Sequence, residues 1–217
     1  MTVDPGSLVA EALAARPGVR IARRSDEDAV VRLLAETFAG DPLVGWVVGD
    51  DPDGHRRRAM FRMCFRLRDL DAGEVLVTDD LQAAFTWNLS ESSDVGIAER
   101  ARQLPNFLAF AGWARIPRLL KFFETMQARR PREPHVYTQF LGVAPALRRS
   151  GVGGELMRCA TLVADRLRRP AYGETSRPVN VTVWGRSGFV AGEPMTLAPG
   201  CPPVWPLLRP VGRAGGR

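Results

Sequence analysis

The sequence predicts an α/β (α+β) domain, and three stretches carry that prediction. Val19 and Ile21 alternate with Arg20 and Ala22 and lead into a run of helical spacing, a strand feeding a helix. Residues 74–78 and 83–88 are rich in β-formers and meet across Asp79-Asp80, which reads as a hairpin. Residues 135–143 form a third β-rich run, which passes through a glycine-rich turn into a further helical stripe.

Taken in order, the first seventeen residues end in the turn Arg16-Pro17-Gly18 and read as a loose lead-in with room for a short helix. Ser25 followed by Asp28 resembles a capping box, and Val30, Val31, Leu33, Leu34 and Phe38 continue at helical spacing until Gly40-Asp41-Pro42 stops the run. Over residues 52–70, Met60, Phe61, Cys64, Phe65 and Leu67 mark an apolar face against an arginine-rich one, a second amphipathic helix. Residues 90–132 mix helical patterns with Pro105, Pro117 and Pro131, so one or two helices are expected there. The basic stretch Arg115, Arg118, Lys121, Arg129, Arg130 and Arg132 reads as a solvated helix face. Pro145 ends the strand over 135–143, because a proline cannot continue the ladder. Leu156, Ala160, Val163 and Leu167 then give a helical stripe, residues 171–176 a strand, and 212–217 a frayed tail. One domain over 18–211 is expected, with 1–17 as the lead-in.

Composition narrows the function. A chain of 217 residues with 45% apolar and 25% charged residues can bury a core, so wholesale disorder and a small disulfide scaffold are excluded. The most apolar segment, 104–114, is too short to span a bilayer and contains a proline, so a cytoplasmic protein without membrane partners is the expectation. Cys64, Cys159 and Cys201 show no metal-ligand spacing with His55 and His135, so no metal is expected. The formal charge is +6, and Lys121 is the only lysine among 30 basic residues. No nucleic-acid motif accompanies that charge, so no nucleic acid is expected as partner, although an arginine-rich chain suits small polyanions.

The chemistry concentrates after residue 134. Strand, Arg148-Arg149-Ser150-Gly151-Val152-Gly153-Gly154, helix is the order of an anion cradle: the first amides of a helix lack intrahelical partners, and the macrodipole puts partial positive charge there. A glycine turn before a helix is also an ordinary tight turn. The dinucleotide fingerprint lacks its third glycine, and the P-loop lacks its Lys-Ser/Thr pair, so another phosphate-binding class is indicated.

The pattern Leu141-Gly142-Val143-x-Pro145-x-x-Arg148-x-x-Gly151-x-Gly153 resembles the coenzyme A pyrophosphate loop of the GCN5-related N-acetyltransferase (GNAT) superfamily. Glu174-Thr175-Ser176, Asn180 and Gly188-Phe189 resemble a second block of that superfamily. These residues and Trp205-x-x-x-Arg209-Pro210 are most similar to puromycin N-acetyltransferase-like enzymes. The resemblance implies a mixed, mostly antiparallel sheet flanked by helices, with strands four and five splayed around acetyl-CoA as cosubstrate. It implies that Leu141, Gly142 and Val143 bind the pantetheine arm and thioester. Arg148, Arg149, Ser150, Gly151, Val152, Gly153 and Gly154 would hold the pyrophosphate, and Asn180 would contact the coenzyme arm. The acceptor it implies is a primary amine on a small molecule, with antibiotic resistance as one role, and a homodimer is compatible with it.

Tyr172, Glu174 and Ser176 share one strand face. Glu174 is either paired with an arginine or acts as the base that deprotonates the amine. Where the family carries a tyrosine that protonates the departing thiolate, this chain has Trp184, whose indole only donates and has no useful acidity near neutral pH. Tyr137 or Tyr172 could substitute. A catalytically weak acyl-CoA-binding protein is the rival that Trp184 favours. His55 reads as a surface residue, His135 as a candidate for the substrate cleft, Trp46, Trp87 and Trp113 as core, and Cys159 as packing.

Overall fold

The structure, a computed structural model, describes residues 4–93 and 97–212. Its centre is a seven-stranded sheet in the order β1-β2-β3-β4-β5-β7-β6. The strands are β1 (Val19–Ile21), β2 (Val75–Thr78), β3 (Ala83–Leu89), β4 (Val136–Val143), β5 (Ala171–Thr175), β6 (Val190–Ala191) and β7 (Trp205–Arg209). Every pairing is antiparallel except β4 with β5. This is the mixed, mostly antiparallel architecture expected.

Period-two alternation sends the strand side chains to two cores. On β2, Val75 and Val77 join a cluster with Val30, Leu34, Phe61, Phe65 and Phe122, while Leu76 points the other way to Phe85, Trp87, Leu156 and Val163. The first core is covered by α2 (Glu27–Thr37), α3 (Pro42–Val48), α4 (His55–Arg66), α5 (Ile97–Ala111) and α6 (Ile116–Arg129). The second is covered by α1 (Pro5–Ala14), α7 (Val152–Arg166) and α8 (Pro178–Gly185).

Several boundaries depart from the sequence reading. The lead-in contains α1, whose Val9 and Ala12 are buried in the second core. Asp41-Pro42, read only as a helix stop, also starts α3: the Asp41 carboxylate accepts from the N–H groups of Leu43 and Val44 at 3.0 Å each, and proline sits at N1. The helix expected over 52–70 is shorter, because Gly54 in the left-handed region opens it and Leu67 closes it. The basic stretch is not uniformly solvated. Arg115 turns inward to donate to the carbonyls of Trp46 and Val47, and Arg130 is almost wholly enclosed. Trp87 is core, its indole donating to the Gly73 carbonyl at 2.8 Å, but Trp113 is 78% exposed on a 3₁₀ turn. From residue 213 onward the expected frayed tail lies outside the described residues.

Two local features position the site. Register between β3 and β4 shifts at Thr86/Trp87, leaving Gln139 as an extra residue, a β-bulge. Beyond it β4 loses β5: the parallel pairing covers Val136–Thr138 only, against Ala171–Gly173. At the last paired position a β-carbon on Gly173 would stand 2.5 Å from Thr138 Oγ1 and 2.9 Å from its carbonyl oxygen, so only glycine permits that approach. The strands then splay, as the sequence resemblance implied.

Candidate active site

The splay opens a cleft of about 1230 Å³ between β4, the turn into α7, α8 and the end of α2. Phe140 and Ala144 turn their N–H groups toward β3, to Thr86 Oγ1 at 3.1 Å and the Gln82 carbonyl at 2.8 Å. By the alternation of an antiparallel ladder, Leu141 and Val143 present their N–H and C=O groups to the gap. The edge is therefore available to an extended ligand, which can pair with it as a strand would.

The edge runs directly into a turn built to expose amides. Arg149 at φ +70° and Gly151 at φ +92° carry the chain through the left-handed region into α7, whose N-cap is Gly151. Ser150 braces the turn, its N–H and hydroxyl both donating to the Leu147 carbonyl at 3.2 and 2.7 Å. Val152 N–H reaches Ser150 Oγ at 3.4 Å, while no acceptor among the described residues takes the N–H groups of Gly151, Gly153 or Gly154. Those amides, the helix macrodipole and the exposed Arg148 and Arg149 converge on one mouth of the cleft. Arg158, Arg177 and Arg186 line it as well, so the wall suits a polyanion. Arg209 is neutralised by Asp165 through a two-pronged pair at 2.7 and 2.8 Å, which ties β7 to α7.

Asn180 lines the cleft from α8 and donates from Nδ2 to Thr175 Oγ1 at 3.2 Å. Trp184 lines it too, yet is 7% exposed and packs edge-on against Phe189 at 4.9 Å, within the second core. Its role in this arrangement is a wall.

A second polar group lies behind that lining. Glu174 Oε2 accepts from the Tyr137 hydroxyl at 2.7 Å, and Oε1 from Arg130 Nε at 3.4 Å. The Arg130 guanidinium lies 3.7 Å from the Tyr137 ring centroid, and Tyr172 stacks on Tyr137 at 6.4 Å. Burial pushes the Tyr137 hydroxyl well above the ordinary phenol range; Arg130 opposes that rise and the Glu174 charge reinforces it. Burial, aided by the Glu174 charge, likewise raises Tyr172, whose hydroxyl is buried without a hydrogen-bond partner. Both hydroxyls therefore stay protonated at neutral pH and hold the proton more tightly than an ordinary phenol. Glu174 is thus paired with an arginine, one of the two readings of it, and also accepts from the Tyr137 hydroxyl. The structure brings Tyr137, Tyr172 and Glu174 together, and separates them from Trp184. His135 is buried with Nδ1 2.9 Å from the Glu133 carbonyl oxygen, away from the cleft lining. It stands just before β4, its ring edge-on to Tyr172 at 5.8 Å.

Sequence reasoning missed Asp41, a buried carboxylate that lines the cleft and accepts from Ser176 Oγ at 3.1 Å on each oxygen. It thereby locks α3 to the end of β5. The signal was available, since Asp followed by Pro is an N-cap with proline at N1. Arg130 had no such signal, because its partners are 44 and 7 residues away in sequence.

No protein-family model matches the chain. Solved structures do share its fold. A protein of Corynebacterium glutamicum, named as histone acetyltransferase HPA2 and related acetyltransferase, superposes with a TM-score of 0.65 at 20% identity over 92% of this chain and 99% of that one. An agmatine N-acetyltransferase gives 0.61 at 19% over 88% and 97%. The Drosophila melanogaster polyamine N-acetyltransferase, which forms N-acetylagmatine, gives 0.60 at 20% over 88% and 97%. The fold is thus that of the GNAT acetyltransferases.

Proposed function

We propose that this protein is a GNAT N-acetyltransferase that moves an acetyl group from acetyl-CoA to a primary amine of a small molecule. One observation carries the reading: a strand edge freed by the splay of β4 from β5 leads, through one short turn over Pro145–Leu147, to the unpaired amides of Gly151, Gly153 and Gly154. That sequence of groups suits an extended amide-bearing arm ending in a diphosphate. No group of three or more metal-ligating residues occurs among the described residues.

In this reading Leu141, Gly142 and Val143 hold the arm, residues 148–154 hold the pyrophosphate, and Asn180 steadies the arm from α8. The neutral amine attacks the thioester carbon, forming the C–N bond. A β4 amide, that of Val143, stabilises the oxyanion. Collapse breaks the C–S bond and releases the thiolate. Glu174 takes the ammonium proton through water, because neither Glu174 nor the Tyr137 hydroxyl bonded to it is among the cleft-lining residues. The thiolate, with a pKa of about 8.5, leaves without a side-chain acid and takes its proton from water, because burial makes the Tyr172 hydroxyl a weaker acid than an ordinary phenol and Tyr172 is not among the cleft-lining residues. Similarity to puromycin N-acetyltransferase-like enzymes adds aminonucleoside antibiotics to the acceptors worth testing, beside agmatine, polyamines and arylalkylamines.

Calorimetry with acetyl-CoA and a thiol-release assay over that amine panel test the reading. Glu174→Gln is expected to lower kcat by about 10²–10⁴-fold with coenzyme affinity unchanged. A wild-type protein that takes up no acetyl-CoA would end the proposal. The burial of Trp184 where the family has a tyrosine favours a second reading, an acyl-CoA-binding protein of little turnover. It predicts tight binding with no thiol release from any amine.

A further inference from the structure

The last residue of α2, Thr37, carries a hydroxyl that the protein leaves unused. Its Oγ1 is buried and has no hydrogen-bond partner. A helical threonine ordinarily satisfies itself on the carbonyl three or four residues back, and a buried hydroxyl left unmet is a net cost to the fold. Thr37 lines the cleft beside Phe38 and Asp41. It also stands over the open edge of β4: a β-carbon built on Gly142 would lie 3.5 Å from Thr37 Oγ1 and 2.7 Å from Leu34 Cδ2. Glycine at 142 thus lets α2 approach the strand closely, and it brings the hydroxyl to the segment whose Leu141 and Val143 face the gap.

We infer that Thr37 Oγ1 is a binding group for the amide-bearing arm of the coenzyme, supplying from α2 a hydrogen bond additional to those of the β4 edge. The inference rests on the coenzyme reading above and assigns a contact that β4 cannot make. Its partner is a neutral amide or hydroxyl, because an uncharged hydroxyl beside Leu34 and Gly142 offers nothing to neutralise a phosphate.

The test titrates the intact protein with two probes, acetyl-CoA and adenosine 3′,5′-bisphosphate, which lacks the arm. Thr37→Val deletes the hydroxyl with little change of shape, and Thr37→Ser keeps it. The expected result is a three- to tenfold (about 0.7–1.4 kcal/mol) weaker affinity of Thr37→Val for acetyl-CoA, with Thr37→Ser within about twofold of wild type. Affinity for the bisphosphate is unchanged in both variants. The free Thr37→Val protein melts no lower than wild type, because the group it removes is unsatisfied there. Undiminished acetyl-CoA affinity in Thr37→Val overturns the inference, as does equal weakening toward both probes. Wild-type protein that binds neither probe removes the coenzyme reading itself, and the inference with it.

Discussion

Gly151 bears the steepest local demand in the cleft. At φ +92° a side chain costs about 1–2 kcal/mol, although a β-carbon there would meet nothing within 4 Å. Gly151→Ala is therefore expected to lower the melting temperature by about 2–8 °C and to weaken acetyl-CoA binding as the amides reorient, both measured side by side. A variant with unchanged melting would mean that the turn has an alternative conformation. Trp184 makes a converse case. Its ring stands 3.0 Å from a β-carbon position on Gly173 and against Phe189, so its size fills a packed site. Trp184→Tyr restores a titratable donor in a smaller ring. Turnover is expected to rise if thiolate departure limits the reaction, and unchanged turnover would remove that role.

At the scale of elements, Asp41 anchors the start of α3: it caps two of the helix amides and receives the Ser176 hydroxyl from beyond β5, while Val44, Val47 and Val48 bury the helix in the first core. Asp41→Ala is expected to cost about 1–2 kcal/mol in chemical denaturation, and Ser176→Ala less, since the cap survives it. The start of α2 makes a separate, pH-dependent contribution. Asp26 is held below the usual carboxylate range, first by its bonds from Arg20 at 2.6 and 3.2 Å and then by the Arg23 N–H at 2.7 Å, against the opposing cost of burial. A carboxylate depressed in the folded state stabilises fully above its unfolded pKa of about 3.9, and that stability disappears as pH falls through the lower folded value. Arg20→Gln should remove part of this contribution. Its unfolding free energy would then fall below that of wild type at pH 5–7, with the two curves converging under strongly acid conditions.

The whole molecule is a sheet with two unequal faces, and α1 belongs to the face that carries α7. Val9 is fully buried, packed so closely on Gly73 that a β-carbon there would lie 2.8 Å from Val9 Cγ1, while Arg16, just beyond the helix, lines the cleft and meets Glu155 at 3.5 Å. A chain beginning at residue 18 is expected to melt lower and to bind acetyl-CoA less tightly, with the salt sensitivity of binding reduced by loss of the Arg16 charge. Equal melting of the two chains would show α1 to be dispensable.

Although β6 and β7 were not read as strands, the strands β1 to β5 and the α7 helix were legible because each is written locally, in β-formers at period two or apolar residues at period 3.6. So was the anion-binding turn, since glycine spacing before a helix states which amides can be exposed. The short helix for which the first seventeen residues had room packs as it does only because Gly73 and α7 make a socket for Val9, which no local pattern states. Arg130 was assigned to a solvated face because charge reads as exposure until Tyr137 and Glu174 are brought against it. Local propensity thus decided which segments became helix or strand and which amides end unpaired at α7. The meeting of Tyr137, Glu174 and Arg130, the Asp41–Ser176 tie and the hydroxyl of Thr37 over Gly142 were decided by chain topology, because each joins residues far apart in sequence whose proximity depends on how the sheet splays and how closely helices can approach it.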